Sequence, residues 1–164
     1  MALRARPAVP VSRRARGGRR VAYRRILVPL VDREVSEQAV AIACQLAAER
    51  RTSVTAVTVV EVPVELPLDS HMVDEQAHAK RVLAEAAAIG DLYGVTVAGR
   101  ILRGRAAGDA IVQEAHAAET EIIVLSAPRK QRTTRQTRVF GSTVDFVLKH
   151  SPCRVMVAAS PGTG

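Results

Sequence analysis

The chain has 164 residues, of which 48% are apolar and 24% charged, the composition of a globular domain rather than of a disordered, fibrous or disulfide-rich chain. Two Tyr, two Phe and no Trp argue against a surface that stacks single-stranded nucleic acid. There is neither a signal-peptide core nor a run of roughly 18 apolar residues, so we expect a cytoplasmic protein without a membrane span.

The formal net charge of +8 is concentrated at the N-terminus. Residues 1–20 hold seven of the 24 cations and no acid, which leaves 17 cations against 16 acids in the remaining 144 residues. Because this segment also contains Pro and Gly and lacks a hydrophobic period, it is predicted to be disordered. Such an arm could contact nucleic acid or an acidic membrane through phosphates, but a solvated extension is the favoured interpretation.

From Tyr23 onward, short β-branched runs alternate with longer alanine-rich stretches, as in βαβ units. The first strand is predicted at 24–31, where a continuous apolar run indicates burial on both faces. Ser36 can cap the helix that follows, and a second strand is expected at 53–62. The next helix, 72–93, has a predicted buried stripe of Met72, Ala79, Val82, Ala86, Ile89 and Tyr93.

The second half of the chain repeats the alternation. A third strand is predicted at 95–102, and Gly104 is expected to break the chain before a helix with the stripe Ala107, Ile111, Ala115 and Ala118. A fourth, interior strand at 121–125 leads through a cationic loop to a helix that starts near Gly141, and the last strand is predicted at 153–159. The sequence therefore predicts an α/β, three-layer, doubly wound (Rossmann-like) sandwich with a five-stranded parallel sheet.

Ligands of open parallel sheets bind outside the carboxyl ends of the strands, where the strand order reverses. The loops after the first and fourth strands are therefore the first candidates. After the fourth strand, five cations precede Gly141, Ser142 and Thr143 at a helix start. Glycine, unpaired helix amides and two hydroxyls favour a phosphate site, although ordinary helix capping explains the same residues.

Three segments resemble the universal stress protein family: Arg24–Leu30 (RRILVPL), Ser36–Ala39 (SEQA) and Gly141–Val157 (GSTVDFVLKHSPCRVMV). The resemblance covers roughly residues 23–159. It implies the strand order 3-2-1-4-5, with the reversal between the first and fourth strands. The predicted organisation is a tail at 1–20, a universal stress protein domain at 21–160 and a short tail at 161–164.

Many members of that family bind ATP through a G-x-x-G-x(9)-G-[ST] motif, of which Gly141 and Ser142 match the last glycine and hydroxyl. Ser126 and Arg129 stand where the first two glycines would be, and eleven residues separate Arg129 from Gly141. An arginine-rich loop could hold phosphates by charge in place of the missing glycines.

Family members also tend to carry an Asp that closes the first strand and contacts the nucleoside. That position corresponds to Val31, and Asp32 comes one residue later. Pro29, Leu30 and Val59 match positions that line the adenine pocket in the family.

The resemblance implies a regulatory adenine nucleotide, ATP with Mg²⁺ possible beside it, in a protein that is not an enzyme beyond slow hydrolysis. It also implies a homodimer that pairs the last strands, with Val155 and Val157 in the interface, and an unidentified protein partner. A dimeric module without nucleotide and a regulatory partner of a transporter remain alternatives.

Two weaker constellations have simpler explanations. His71, Asp74, Glu75 and His78 share a helix face and could seat a metal, but solvated side chains are the commoner outcome. His150 and Cys153, with Cys44, resemble a nucleophile pair, but a histidine at a helix end and a small buried cysteine account for both. We therefore expect no catalytic residues and no metal site.

Overall fold

The computed structural model describes residues 22–31, 37–127 and 141–159. The N-terminal segment, Ser36, the cationic loop and the C-terminal tail at 161–164 lie outside the described residues.

The described residues form alternating strands and helices. In chain order these are β1 Ile26–Pro29, α1 Glu37–Arg50, β2 Val54–Glu61, α2 Val73–Leu92, β3 Val97–Gly104, α3 Ala107–Ala117, β4 Ile122–Ser126, α4 Ser142–His150 and β5 Arg154–Ala158.

The strands form one parallel sheet in the order β3-β2-β1-β4-β5. Every residue of β1 and β4 is buried, as expected for central strands that are covered on both faces. The α/β class, the parallel sheet and its order are therefore confirmed.

Two apolar clusters on opposite faces make the fold a three-layer sandwich. Ile26, Val28 and Leu30 of the β1 segment pack beneath α1 and α2, whereas Leu27 packs beneath α3 and α4. This alternation follows from the period of two in a strand. The reversal of the winding therefore lies between β1 and β4, where the carboxyl ends of the two strands are neighbours.

The third strand starts two residues later than the sequence pattern predicted. Gly94 has φ +65°, and the amide of Val95 donates to Gly90 O at 3.0 Å, so residues 94 and 95 close the end of α2. The strand then continues to Gly104, which pairs with Glu61. Gly104 is the last residue of β3, so the strand ends two residues later than predicted, and the break before α3 follows directly after Gly104.

Two predicted core positions at helix ends are also wrong. Tyr93 is 43% exposed, and Ala118 is exposed after the end of α3. The middle of each stripe is buried, including Ala79, Val82 and Ala86 of α2. Helical spacing predicts which face is buried, but it does not tell where the helix leaves the sheet.

A carboxylate fastens the amino end of β1 to the segment before β4. Glu121 Oε2 accepts from the amide of Arg24 at 2.5 Å and from the amide of Arg25 at 3.2 Å. These two backbone hydrogen bonds, assisted by the nearby arginine charges, hold the pKa of Glu121 below its ordinary value. Since the amides of Arg24 and Arg25 bond to Glu121, β1 begins at Ile26 and not at the predicted residue 24; it ends at Pro29, two residues before the predicted end.

None of the helices in the described ranges has the length and apolarity that a membrane span requires.

Candidate functional site

The site begins where β1 and β4 end side by side. Ile26 pairs with Ile122 and Leu27 with Ile123, so the register places Leu30 beside Ser126. On the other side, the amide of Leu30 donates to Val57 O at 2.8 Å. This register puts Val31 opposite Val59 of β2. The residues predicted after the first and fourth strands therefore meet at one edge of the sheet.

Helix α4 brings its N-terminus to the same edge. It runs from Ser142 to His150 and is followed at once by β5, which begins at the amino edge of the sheet. Its start must therefore lie at the carboxyl edge, against the face where Val144 and Val147 pack with Leu125. The helix start and the ends of β1 and β4 thus share one crevice.

The N-terminus of α4 has open amides. Gly141 is the N-cap residue, and its backbone angles, φ −64° and ψ 163°, are accessible to any residue. No side chain of the described residues caps the helix. The first intrahelical bond runs from the amide of Asp145 to Gly141 O at 3.0 Å, so the amides of residues 142–144 precede the hydrogen-bonded turn. These amides and the helix dipole favour an anion.

A Cβ on Gly141 would meet nothing within 4 Å. The fold therefore does not require glycine at this position. Ser142 is exposed and Thr143 is partly exposed, so both residues lie at the surface of the crevice.

The N-terminus of α3 differs, because it is already occupied. Glu61, the last residue of β2, places Oε1 2.8 Å from the amide of Ala107, the first residue of α3. The N-cap of α3, Ala106, has no side chain that could accept this bond. A carboxylate supplied by the sheet thus occupies the first amide of α3, whereas α4 has no such acceptor among the described residues. The sequence analysis missed this contact, and an alanine at the N-cap was the available signal.

The predicted site residues divide between the two faces of the sheet. Val31 and Val59 are half-buried on the α3/α4 face, which is also the face of α4. Leu30 is buried beneath α1 and α2, and alternation along β4 places Ser126, which is 6% exposed, on that same face. Pro29 is buried at the end of β1. Asp32 and Arg129 lie outside the described residues.

A separate hollow lies at the opposite edge of the sheet. It has a volume of about 410 Å³ and is lined by residues around Arg51, Thr52, Gly94 and Thr96. Because α1 and α2 end there, their carbonyl ends face the hollow and disfavour a phosphate. Residues 32–36 and 128–140, which follow β1 and β4 in the sequence, lie outside the described residues. We therefore place the candidate site in the crevice at the ends of β1 and β4, because the strand order reverses there and the open amides of α4 lie at the same edge.

The residues of the candidate metal site and of the candidate nucleophile pair do not come together as such sites in the structure. No group of three or more potential metal ligands occurs within the described ranges, and His78 Nδ1 lies 3.0 Å from a guanidinium nitrogen of Arg81. His150 Nδ1 lies 2.9 Å from Phe146 O, and the two rings stack. Cys153 contacts Ser151 instead, and burial raises the pKa of the Cys44 thiol. These observations favour structural roles for the histidine and the cysteines.

A doubly wound domain with an open helix N-terminus at its strand-order reversal has the architecture of an anion- or nucleotide-binding protein. The model of the universal stress protein family matches residues 22–159. The chain therefore belongs to the universal stress protein family.

Solved structures agree with this assignment. Universal stress protein UspA from Lactobacillus plantarum is 25% identical, with a TM-score of 0.64 over 84% of this chain and 98% of that one. The universal stress protein from Archaeoglobus fulgidus in complex with dAMP is 20% identical, with a TM-score of 0.65 over 84% and 98%.

A family member from Arabidopsis thaliana with AMP bound is 17% identical, with a TM-score of 0.56 over 84% of this chain and 93% of that one. No curated protein matches this chain.

Proposed function

We propose that this protein binds an adenine nucleotide, ATP in the first instance, in the crevice between β1 and β4, as a regulatory ligand of a stress response. The observation that carries the proposal is the N-terminus of α4 at the strand-order reversal, which no side chain of the described residues caps, beside an α3 whose first amide is bonded to Glu61. The nucleotide-bound family structures from Archaeoglobus fulgidus and Arabidopsis thaliana support the ligand class.

In this proposal the phosphates lie on the amides of residues 142–144. The hydroxyls of Ser142 and Thr143 add donors, and Gly141 lets the phosphates approach the backbone. The half-buried pair Val31 and Val59 offers an apolar contact for the base. Pro29 and Leu30 can offer only backbone carbonyl oxygens, because proline has no N–H and the amide of Leu30 is bonded to Val57 O. Asp32, Ser126 and Arg129 remain proposed ligand residues.

The nucleotide acts as a regulator rather than as a substrate. The described members of the proposed site are aliphatic, hydroxyl or glycine residues, and none of them can serve as a general base near neutral pH. We propose on this basis that hydrolysis is slow at most; Asp32, the one carboxylate among the proposed ligand residues, lies outside the described residues. Any Mg²⁺ enters with the nucleotide, held by its phosphates, because no cluster of metal ligands is present in the described part of the chain.

The open edge of β5 supports the proposed homodimer. Ala158 O accepts from the amide of Ala127 at 2.7 Å, so by alternation Arg154, Met156 and Ala158 direct their polar backbone groups toward β4. Val155 and Val157 then direct theirs to the outer edge of β5, with which no described strand pairs. An apolar edge of this kind invites pairing with an identical strand across a two-fold axis.

The proposed setting is the cytoplasm, where the nucleotide-dependent dimer signals through a protein partner. A transporter regulated by this chain is the alternative partner, and nucleic acid is not expected.

Isothermal titration calorimetry with ATP and AMP tests the ligand, and mass spectrometry of small molecules released from freshly purified protein identifies what the protein carries. We expect saturable binding or a co-purified adenine nucleotide. Protein that carries no nucleotide and gives no heat with either compound would exclude nucleotide binding and leave the dimeric interaction module as the function.

A further inference from the structure

The segment 61–75, called here the acidic loop, comprises the last residue of β2, the connection to α2 and the first turn of α2, and it exposes apolar side chains. Val64 is 77% exposed, Leu66 42%, Leu68 48% and Val73 70%. Single exposed apolar residues are ordinary, but four within ten residues of one connection form a patch of the kind that mark interaction sites.

The acidic loop also concentrates negative charge. Between Arg51 and Lys80 the sequence contains five acids and no Lys or Arg, and all five acids lie in the acidic loop: Glu61, Glu65, Asp69, Asp74 and Glu75. Glu61 is used by α3. The other four are exposed and form no ion pair with any described residue. Their charge is therefore available to a cationic partner.

The backbone of the acidic loop is held in place. Arg103 Nε donates to Leu68 O at 2.9 Å, and Arg105 donates to Val62 O at 3.1 Å. Arg103 also donates to Ser70 O. Both guanidinium groups are thus directed at carbonyl oxygens and not at the carboxylates. The patch is presented on a fixed backbone, which lowers the entropy lost when a ligand binds.

We propose that the acidic loop is the docking surface for the Arg-rich N-terminal segment, residues 1–20, of the same chain. That segment carries seven arginines and no acid, so its charge is complementary to the four free carboxylates. It also contains Leu3, Val9 and Val11, which can contact the exposed apolar side chains. Complementary charge and apolar contact together distinguish this docking from nonspecific attraction.

The segment is long enough to reach the loop. The described chain begins at Ala22, close to Arg24, whose carbonyl oxygen accepts from Thr52 Oγ1 at the amino edge of the sheet. The acidic loop lies beyond β2, whose eight residues span about 26 Å. Twenty residues reach up to about 66–72 Å when extended. A tethered ligand of this kind has an effective concentration in the millimolar range, so even weak contacts populate the docked state.

Limited trypsin digestion of the 164-residue chain tests the proposal, because trypsin cleaves after the arginines of the segment other than Arg6, which precedes Pro7. The test variant is E65Q/D69N/E75Q, and the matched control is E49Q/E85Q/D91N, which removes the same three charges from exposed positions on or next to α1 and α2. Loss of the N-terminal peptides is followed by intact mass spectrometry at low salt and in 1 M salt, where the Debye length falls to about 3 Å. A chromogenic arginine substrate reports trypsin activity in each buffer.

We expect the test variant to lose its N-terminal peptides at least about threefold faster than wild type at low salt. The control should match wild type, and the difference should vanish at high salt. Equal rates for the test variant and wild type at low salt would overturn the proposal and leave the acidic loop to another basic ligand. Protection that disappears on tenfold dilution would also overturn it, since the occupant would then be the segment of a second copy. Acceleration confined to the arginines between 129 and 138 would assign the contact to that loop instead.

Discussion

Gly141 offers the sharpest test of the proposed nucleotide site, because the protein does not need glycine there for its own structure. Its φ of −64° suits any residue, and an added Cβ would meet no atom within 4 Å. Substitution by valine should therefore leave the sheet and α4 in place. The remaining effect on stability is the replacement of a good N-cap residue by a poor one, about 1 kcal/mol or less, which lowers Tm by about 2–4 °C.

The effect on the ligand should be larger. A β-branched side chain at Gly141 would stand where the phosphates approach the open amides of α4 and would keep them at a distance. We expect at least a tenfold loss of ATP affinity for Gly141→Val, or about 1.4 kcal/mol. Arg129→Ala should lose less than Gly141→Val, because a single surface cation contributes little on its own.

Calorimetric titration at 25 °C, combined with thermal unfolding of each variant, separates the two effects. The matched control is Gly94→Ala at the opposite edge of the sheet, where φ is +65° and the substitution lowers stability by about 1 kcal/mol without touching the crevice. Its ATP affinity should equal that of wild type. If Gly141→Val binds ATP as tightly as wild type, the phosphates do not lie on α4 and the site proposed here is wrong.

Four further substitutions test assembly and stability. Val155→Pro removes a backbone donor from the outer edge of β5 and should shift a dimer to monomer in light scattering. Met156→Pro removes a backbone donor that faces β4 and should lower Tm instead. A wild-type protein that scatters as a monomer near 17.6 kDa would refute the dimer. Glu121→Gln should lower the free energy of unfolding at pH 7 by about 1 kcal/mol, discounted for exposure. Because the pKa of Glu121 is lower in the folded protein, its carboxylate stabilises the fold at pH values above the ordinary pKa. This stabilisation is lost as the pH falls through the pKa of the folded state. The difference from wild type in urea unfolding should therefore shrink below about pH 4. Glu61→Ala should uncap α3 and lower Tm by about 2–4 °C, and an unchanged Tm would show that the bond to α3 contributes nothing.

The fold follows from the sequence because its signals are redundant. The continuous apolar runs of β1 and β4 indicate strands that are buried on both faces, and the alanine-rich stretches along the chain predict the helices that bury them. Few arrangements of helices and sheet are compatible with both signals. The errors fell at element ends. The residue at which β3 begins depends on how Gly94 and Val95 close the end of α2. Turn geometry of this kind leaves no periodic pattern in the sequence from which it could be predicted.

The candidate site is harder to predict for a related reason. Motif spacing pointed to Gly141 and Ser142, but whether a helix N-terminus is free depends on which side chain reaches it from another element. Glu61 is 46 residues away from Ala107 in sequence, and only the register of β2 against β3 brings the two together. Likewise, the assignment of Leu30 and Ser126 to the face opposite α4 depends on the parity of strand positions and not on residue type.

These two helix ends explain how one edge of the sheet can be selective for an anion. Both α3 and α4 start at the carboxyl edge, and each offers amides and a partial positive charge. A carboxylate built into β2 neutralises the first, so an incoming phosphate finds a competitor at α3 and none at α4 among the described residues. On the α3/α4 face of the sheet, the charge pattern of the described residues thus leaves the N-terminus of α4, and not that of α3, open to an anion. Removing Glu61 should therefore create a second, weaker anion site and should leave the α4 site unchanged.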